Sequence, residues 1–191
     1  MPTLLETTMP VYHFSERHSR VLSAEPSLVW DALTGLTLDQ LTIAKPLVIL
    51  RHLGRRDTVT SRPLFTDGPI TIIEVQAPRY ALGASIARPW QRTPSRVEVS
   101  SLEEFAAFDE PGWVKYLTDF HLRGRATGAV LSTETRGYST DRLTRRKFAL
   151  YWTAIHAGSA IIRRDMLATV DRISRREQGW RPTPARADSL M

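Results

Sequence analysis

The C-terminal part of the chain, from Ser139 to about Gln178, has the periodicity of one long α-helix. Apolar or small residues recur there at alternating steps of three and four, which places them on a single helical stripe. The stripe consists of Phe148, Trp152, Ile155, Ser159, Ile162, Met166, Thr169 and Ile173. Either Thr140 or Asp141 is expected to cap the first turn, and Gly179 to end the helix. A helix of this length, about 50 Å, needs a broad surface on which to bury its stripe.

The composition limits the classes of function that the chain can have. Hydrophobic residues make up 42% of it and charged residues 24%, as in ordinary globular proteins. The absence of cysteine excludes disulfides, thiolate metal sites and cysteine nucleophiles. We expect no membrane span and no signal peptide, and therefore a cytoplasmic protein. The net charge of +6 comes from scattered basic residues without a binding motif, so a nucleic-acid partner is not expected.

The chain before the long helix is rich in strands. Alternation of apolar and polar residues, bounded by turn residues, predicts strands over Tyr12–Leu22, Ile70–Ala77, Tyr80–Arg88, Trp113–Leu122 and Ala129–Tyr138. The second and third of these strands are expected to form a hairpin. Two short helices follow the first strand, one beginning at Pro26 and one at Thr37 or Leu38. Strands grouped between helices favour an α+β fold with an antiparallel sheet. A long helix across a strongly twisted sheet leaves a cavity between the two.

Local sequence adds a resemblance to a known superfamily. The segment Tyr12–His18 is followed by Ala24–Trp30, which reads Ala-x-Pro-x-x-Val-Trp. These residues resemble the first strand and helix entry of the START/Bet v 1-like superfamily, also called SRPBCC or polyketide cyclase-like. Segments Ala81–Trp90, Ser132–Arg136 and Phe148–Arg164 resemble a subgroup of uncharacterised bacterial members. The resemblance extends over about residues 11–177 and implies the helix-grip fold, a curved antiparallel sheet wrapped around a long C-terminal helix.

The resemblance also defines the expected domain organisation. We expect residues 1–10 to be a flexible arm, residues 11–178 to be one helix-grip domain, and residues 179–191 to be a flexible tail. Residues 54–69 are rich in Gly, Arg, Asp, Ser and Pro and predict a mobile loop. The apolar run Leu47–Leu53 could be either a strand or a helix. The sequence leaves open whether the protein forms a homodimer.

The superfamily includes lipid carriers, hormone receptors, polyketide aromatase/cyclases and oxygenase catalytic domains, so the resemblance alone does not define a function. Oxygenases of the Rieske class need two histidines and a carboxylate on iron. The histidines of this chain are not at matching spacings, so we discard that branch and expect neither a metal nor another cofactor.

The candidate site is the predicted cavity, and aromatic side chains are numerous enough to line it. The expected ligand-binding residues are Tyr116, Phe120, Glu134, Arg136, Phe148, Trp152, His156 and Trp90. The pair Glu134–Arg136 has two interpretations, because either face of its strand could point inward. It is a structural ion pair, which we favour, or a buried pair that grips the polar end of a ligand. Asp119 and His121 share a strand face and could act in acid–base chemistry, although an exposed contact is the favoured interpretation.

Three functions fit these features. The first is binding of a hydrophobic small molecule, such as a lipid, a polyketide or another aromatic or isoprenoid-like compound, in the cavity. The alternative is a cofactor-free polyketide cyclase or aromatase, in which Glu134, Arg136, Tyr116 or His156 transfers protons. The third is a structural or interaction protein. No serine nucleophile motif, phosphate-binding loop or zinc-protease motif occurs, so no catalytic residue is assigned.

Overall fold

The computed structural model describes residues 3–46, 61–68, 70–91 and 94–180. Its first half contains α1 (Leu4–Thr8), β1 (Phe14–Leu22), α2 (Pro26–Thr34), a short 3-10 turn (Leu38–Gln40), α3 (Leu64–Asp67), β2 (Thr71–Gln76) and β3 (Tyr80–Arg88). Its second half contains β4 (Ser95–Val97), α4 (Leu102–Ala107), β5 (Val114–Gly124), β6 (Ala129–Ser139) and α5 (Arg142–Trp180). The run Leu47–Leu53, residues 54–60 and 69 of the predicted mobile loop 54–69, and residues 181–191 lie outside the described residues. Within the described part of that loop, α3 forms instead of irregular chain.

Within these ranges, six strands form one antiparallel sheet. Its order is β1-β6-β5-β3-β2, and β4 pairs with the end of β3. The hairpin predicted from the sequence is confirmed as the pair β2 and β3. The central pair, β5 and β6, is aligned from Val114 opposite Ser139 to Gly124 opposite Ala129. Because side chains alternate between the two faces of a strand, this register decides which residues meet on each face of the sheet.

The long helix α5 spans 39 residues and packs across one face of the sheet, which we call the inner face. Phe148 of its stripe and the adjacent Leu167 and Val170 are buried there, and α2 packs beside it. The first strand is followed by α2 and the 3-10 turn, as the sequence predicts. The architecture is therefore the helix-grip fold, an antiparallel sheet curved around a long C-terminal helix.

The opposite face of the sheet, the outer face, is covered by α1 and α4. Leu5 of α1 is 1% exposed, and its backbone N–H donates to the hydroxyl of Tyr80 at 3.1 Å. Phe105 of α4 is buried in the same cluster. The sequence predicted a flexible arm over residues 1–10, whereas the structure has a helix that begins with a capping box of Thr3 and Glu6. A helix of five residues is too short for its periodicity to be recognised.

The start of α5 is held by Asp141. Its carboxylate accepts from the backbone N–H of Thr144 at 2.8 Å and from that of Gly112 at 2.6 Å. The Thr140 hydroxyl instead bonds to the backbone of Trp113. Of the two candidate caps, Asp141 therefore takes this role, and it also ties the helix to the loop before β5.

We expect Asp141→Ala to lower the free energy of unfolding by about 1–2 kcal/mol, because two backbone donors lose their acceptor. Asp141→Asn is the control, since its amide oxygen can still accept from Thr144, and it should lose less. Urea denaturation at neutral pH measures both changes. Equal losses in the two variants would contradict a capping role.

The Asp141 cap also makes the free energy of unfolding depend on pH. Hydrogen bonds from Thr144 lower the pKa of Asp141 from 3.8 to about 2. A carboxyl group with a depressed pKa contributes stability above its unfolded pKa and loses it as the pH falls through the folded value. The difference between wild type and Asp141→Ala should therefore shrink between pH 4 and pH 2.

Candidate functional site

A cavity of about 540 Å³ lies between the inner face of the sheet and α5, and we call it the helix–sheet cavity. Strands β3, β5 and β6 form one side, the first half of α5 forms another, and the segments around α3 and β4 border the rest. The apolar lining residues are Leu38, Leu41, Leu64, Ile70, Ala87, Pro89, Pro94, Tyr116, Phe148, Tyr151, Trp152, Ile155 and Ile162. Most of the lining is thus apolar, as in typical binding sites for small molecules.

One end of the cavity is aromatic. Phe148 lies at its centre, with its ring centroid 4.6 Å from that of Phe14 and 5.6 Å from that of Tyr116. The rings of Tyr151 and Trp152 are each 5.8 Å from the same ring. The contacts with Phe14 and Tyr116 are edge-on, the arrangement that aromatic quadrupoles prefer. This cluster offers flat apolar surface to a bound molecule.

The other end is polar and consists of Thr118, Thr135 and Arg163, which we call the polar floor. The register of β5 and β6 places the two threonines opposite each other, and their hydroxyl oxygens are 2.6 Å apart. Arg163 of α5 extends to β6, where its guanidinium donates to the hydroxyls of Thr133 at 3.1 Å and of Thr135. Hydroxyl and guanidinium groups are therefore the polar atoms that a ligand meets at this end.

A buried carboxylate lies beside the polar floor. Glu16 of β1 accepts a hydrogen bond from Ser159 at 2.8 Å, and its other oxygen is 2.7 Å from His18 Nε2. Its distance to Arg163 Nε is 3.9 Å, too long for a hydrogen bond. Glu16 thus gives Arg163 an ionic partner, while its short contacts go to other groups.

Burial determines the electrostatics of the polar floor. The side chain of Arg163 is 15% exposed, and its removal from water lowers its pKa. The charges of Glu16 and Asp119 act in the opposite direction. Arginine keeps its proton at any pH at which proteins fold. The polar floor therefore contains a permanently protonated guanidinium, with the carboxylate of Glu16 3.9 Å away.

Three of the sequence-predicted ligand-binding residues, Tyr116, Phe148 and Trp152, lie together on the helix–sheet cavity. Phe120 also faces inward, but it packs against Phe65 in the neighbouring core, with 6.2 Å between ring centroids. His156 is exposed and stacks on the ring of Trp152 at 5.3 Å.

Trp90 is half-buried just after β3, between the cavity residues Pro89 and Pro94. It is close in sequence to the rim of the cavity, but it is not part of the lining described above.

Glu134 and Arg136 lie on the outer face, because the threonines of β6 point inward. Arg136 Nε donates to Glu134 at 2.8 Å, and its Nη1 donates to the carbonyl oxygen of Met9 at 3.0 Å. The guanidinium also lies over the ring of Tyr12. The pair is therefore a mostly buried ion pair that ties β6 to the N-terminal segment, away from the cavity.

Asp119 belongs to the same outer-face group. Its carboxylate accepts from the backbone N–H of Glu134 at 2.9 Å. Burial raises its pKa from 3.8 to about 6, helped by the negative charge of Glu134 and opposed by Arg17 and Arg136. The folded structure therefore disfavours the ionised form of Asp119 at neutral pH.

We expect Asp119→Asn to raise the free energy of unfolding by about 1–2 kcal/mol at pH 8. Because the pKa of Asp119 is higher in the folded state, wild type loses stability as the pH rises from the unfolded pKa to the folded pKa. The asparagine variant has no carboxyl group and does not undergo this loss. The gain should therefore decline from pH 8 to pH 4. Urea denaturation across this range tests it, and a gain that does not depend on pH would contradict it.

Sequence reasoning missed the polar floor. Arg163 is not a member of the predicted stripe, yet it lies four residues after Ser159 and three before Met166, which are both in the stripe. That spacing is the signal that could have identified it. Thr118 and Thr135 carried no such signal, since strand threonines usually have structural roles.

Nowhere in the described residues do three or more His, Asp or Glu side chains come together as metal ligands. Likewise, none of the described helices combines the length and the apolar character needed to cross a bilayer.

Comparisons with known proteins give structural neighbours only. No protein-family model and no curated protein matches the chain. A solved structure from Mesorhizobium loti is 16% identical, with a TM-score of 0.41, and the match covers 83% of this chain and 98% of the other. A conserved protein from Geobacillus kaustophilus is 9% identical, with a TM-score of 0.42, over 86% and 97% of the two chains. The ZhuI aromatase/cyclase of a Streptomyces species is 14% identical, with a TM-score of 0.32, over 86% and 95%. The chain is thus only distantly similar to each of these three structures.

Proposed function

We propose that the chain is a START/Bet v 1-like protein that binds a largely apolar small molecule in the helix–sheet cavity. The observation that carries this proposal is the cavity itself, whose volume of about 540 Å³ falls within the usual range of ligand sites. Its walls are mainly aliphatic and aromatic, and Thr118, Thr135 and Arg163 form a hydrogen-bonded polar group within them. Burial of a hydrophobic ligand against such walls is favourable, since it removes apolar surface of both partners from water.

The cavity also has an arrangement that would orient a ligand. The aromatic cluster around Phe148 and the polar floor at Arg163 both belong to the lining, and the 15 positions between Phe148 and Arg163 separate them by about 22 Å along α5. A molecule with one polar end would therefore bind in a single direction. Lipids, polyketides and other aromatic or isoprenoid-like compounds fit this description.

The cyclase alternative has less support. Of the four residues considered for proton transfer, Tyr116 borders the cavity, whereas Glu134 and Arg136 lie on the outer face and His156 is exposed. Binding without turnover is therefore the function that the geometry favours.

The test uses the neutral fluorescent probe N-phenylnaphthylamine, whose emission rises in apolar surroundings. We expect wild type to bind it with saturation, and Ser85→Phe to weaken binding by about tenfold or more, because Ser85 lines the cavity and a phenyl ring there would fill it. The matched control is Ser19→Phe, which makes the same change at an exposed position of β1. Equal binding by all three proteins would overturn the proposal.

Native mass spectrometry of the purified protein is the complementary measurement. We expect wild type to retain an added mass from a co-purified ligand, and Ser85→Phe to lack it. An added mass of equal abundance in both proteins would contradict binding in the cavity.

A further inference from the structure

The guanidinium of Arg163 has donor groups that the protein does not use. An arginine side chain has five N–H groups. Within the described residues, Nη1 donates to Thr133 and Nη2 to Thr135, while Nε is enclosed and has no acceptor. Both acceptors are neutral hydroxyls. A buried arginine normally has its fork of donors filled by a carboxylate or by several carbonyl groups.

The charge of Arg163 is also loosely compensated. Glu16 is its ionic partner, but the separation of 3.9 Å leaves no direct hydrogen bond between them. The two oxygens of Glu16 are occupied by His18 and Ser159. A buried charge without close pairing is costly, so an additional anion near Arg163 would be stabilised.

The remaining charges on the cavity have the same overall sign. Its lining contains three arginines, at positions 62, 96 and 163, and one aspartate, Asp67. Asp67 is already paired with Arg62 at 3.4 Å. The lining therefore has an excess of positive charge, from the exposed Arg96 and from Arg163, whose partner Glu16 makes no hydrogen bond to it.

We propose that the helix–sheet cavity selects apolar or aromatic molecules that have one carboxylate or an equivalent oxyanion, with the acidic group at Arg163. The anion accepts from the unused N–H groups of Arg163, and the hydroxyls of Thr118 and Thr135 lie beside it. The apolar part of the molecule extends to the aromatic cluster at Phe148. This inference rests on the proposed function and defines the chemical class of its ligand.

The experiment compares an acid with its neutral counterpart. Naphthylacetate and naphthylacetamide have nearly the same shape and differ in charge. Each is titrated against wild-type protein loaded with N-phenylnaphthylamine, and displacement of the probe gives its affinity. We expect the acid to bind about tenfold more tightly than the amide, since its carboxylate forms an ion pair as well as hydrogen bonds with Arg163, whereas the amide oxygen has no net charge.

Two variants test whether Arg163 causes the preference for the acid over the amide. Arg163→Met keeps an unbranched chain and removes the guanidinium and its charge, so the acid and the amide should bind equally. Arg164→Met is the matched control, because it removes the charge of the neighbouring, exposed arginine and leaves the polar floor intact. Its preference for the acid should equal that of wild type.

The outcomes separate the two proposals. If the probe binds but wild type does not prefer the acid, this inference is overturned and the proposed function stands. If the probe does not bind at all, the proposed function fails. A preference that persists in Arg163→Met would also overturn the inference, and circular dichroism of that variant verifies that it is folded. If Arg163→Met does not fold, the relative affinity of wild type for the acid and the amide still tests the inference.

Discussion

Phe148→Ala is expected to lower the free energy of unfolding by about 3–4 kcal/mol. The ring is 1% exposed and lies at the centre of the aromatic cluster, with Phe14 of β1 and Tyr116 of β5 against it. Its removal takes a large apolar group out of the contact between α5 and the sheet. The loss should fall in the lower part of the usual range for such changes, because the side chain also borders a cavity and has fewer neighbours on that side.

The measurement is urea denaturation followed by circular dichroism, with the slope of the transition compared between proteins. The matched control is Leu150→Ala on the same helix, whose side chain is 77% exposed. It should change stability by about 0.5 kcal/mol or less. If both variants lost the same amount, the effect would come from helix propensity, and the proposed contact of Phe148 with the sheet would be refuted.

Glu16→Gln is expected to lower the free energy of unfolding by about 3 kcal/mol at neutral pH. The glutamine keeps the shape of the side chain and can still bond to Ser159 and His18. It removes the negative charge beside Arg163, and the side chain of Glu16 is only 3% exposed. The cost is therefore that of leaving the guanidinium buried without an ionic partner.

A double-mutant cycle separates this effect from a general loss of packing. In the background of Arg163→Met there is no charge to compensate, so Glu16→Gln should cost much less there than in wild type. Arg17→Gln is a control for surface charge on the same strand, since its side chain is 63% exposed. Equal costs of Glu16→Gln in both backgrounds would show that the two side chains do not interact.

Much of the fold follows from local sequence. The alternation in the strands, the stripe of α5 and the turn residues between them are patterns of neighbouring residues, and they predicted the antiparallel sheet and the helix across it. Asp141 was one of two candidates for the cap of that helix, since the preference of such residues for this position is also local. The short elements α1 and β4 were not predicted, because elements of a few residues depend on the surfaces against which they pack.

The site was predicted in part. The aromatic residues Tyr116, Phe148 and Trp152 could be identified because large apolar side chains on a predicted inner face must pack near the helix. Glu134 and Arg136 were placed with them only because the inward face of β6 was undecided. A shift of one position in register moves every side chain to the other face, and the sequence of one strand does not contain the register.

The sequence by itself determined that a long amphipathic helix must lie across an antiparallel sheet and that a space remains between them. Only the tertiary structure decided which polar groups face that space. Arg163 became part of the cavity because α5 crosses β6 at Thr133 and Thr135, and Glu16 lies beside it because β1 pairs with β6. These contacts join residues more than a hundred positions apart in some cases, so they depend on how the elements pack and not on any pattern within one of them.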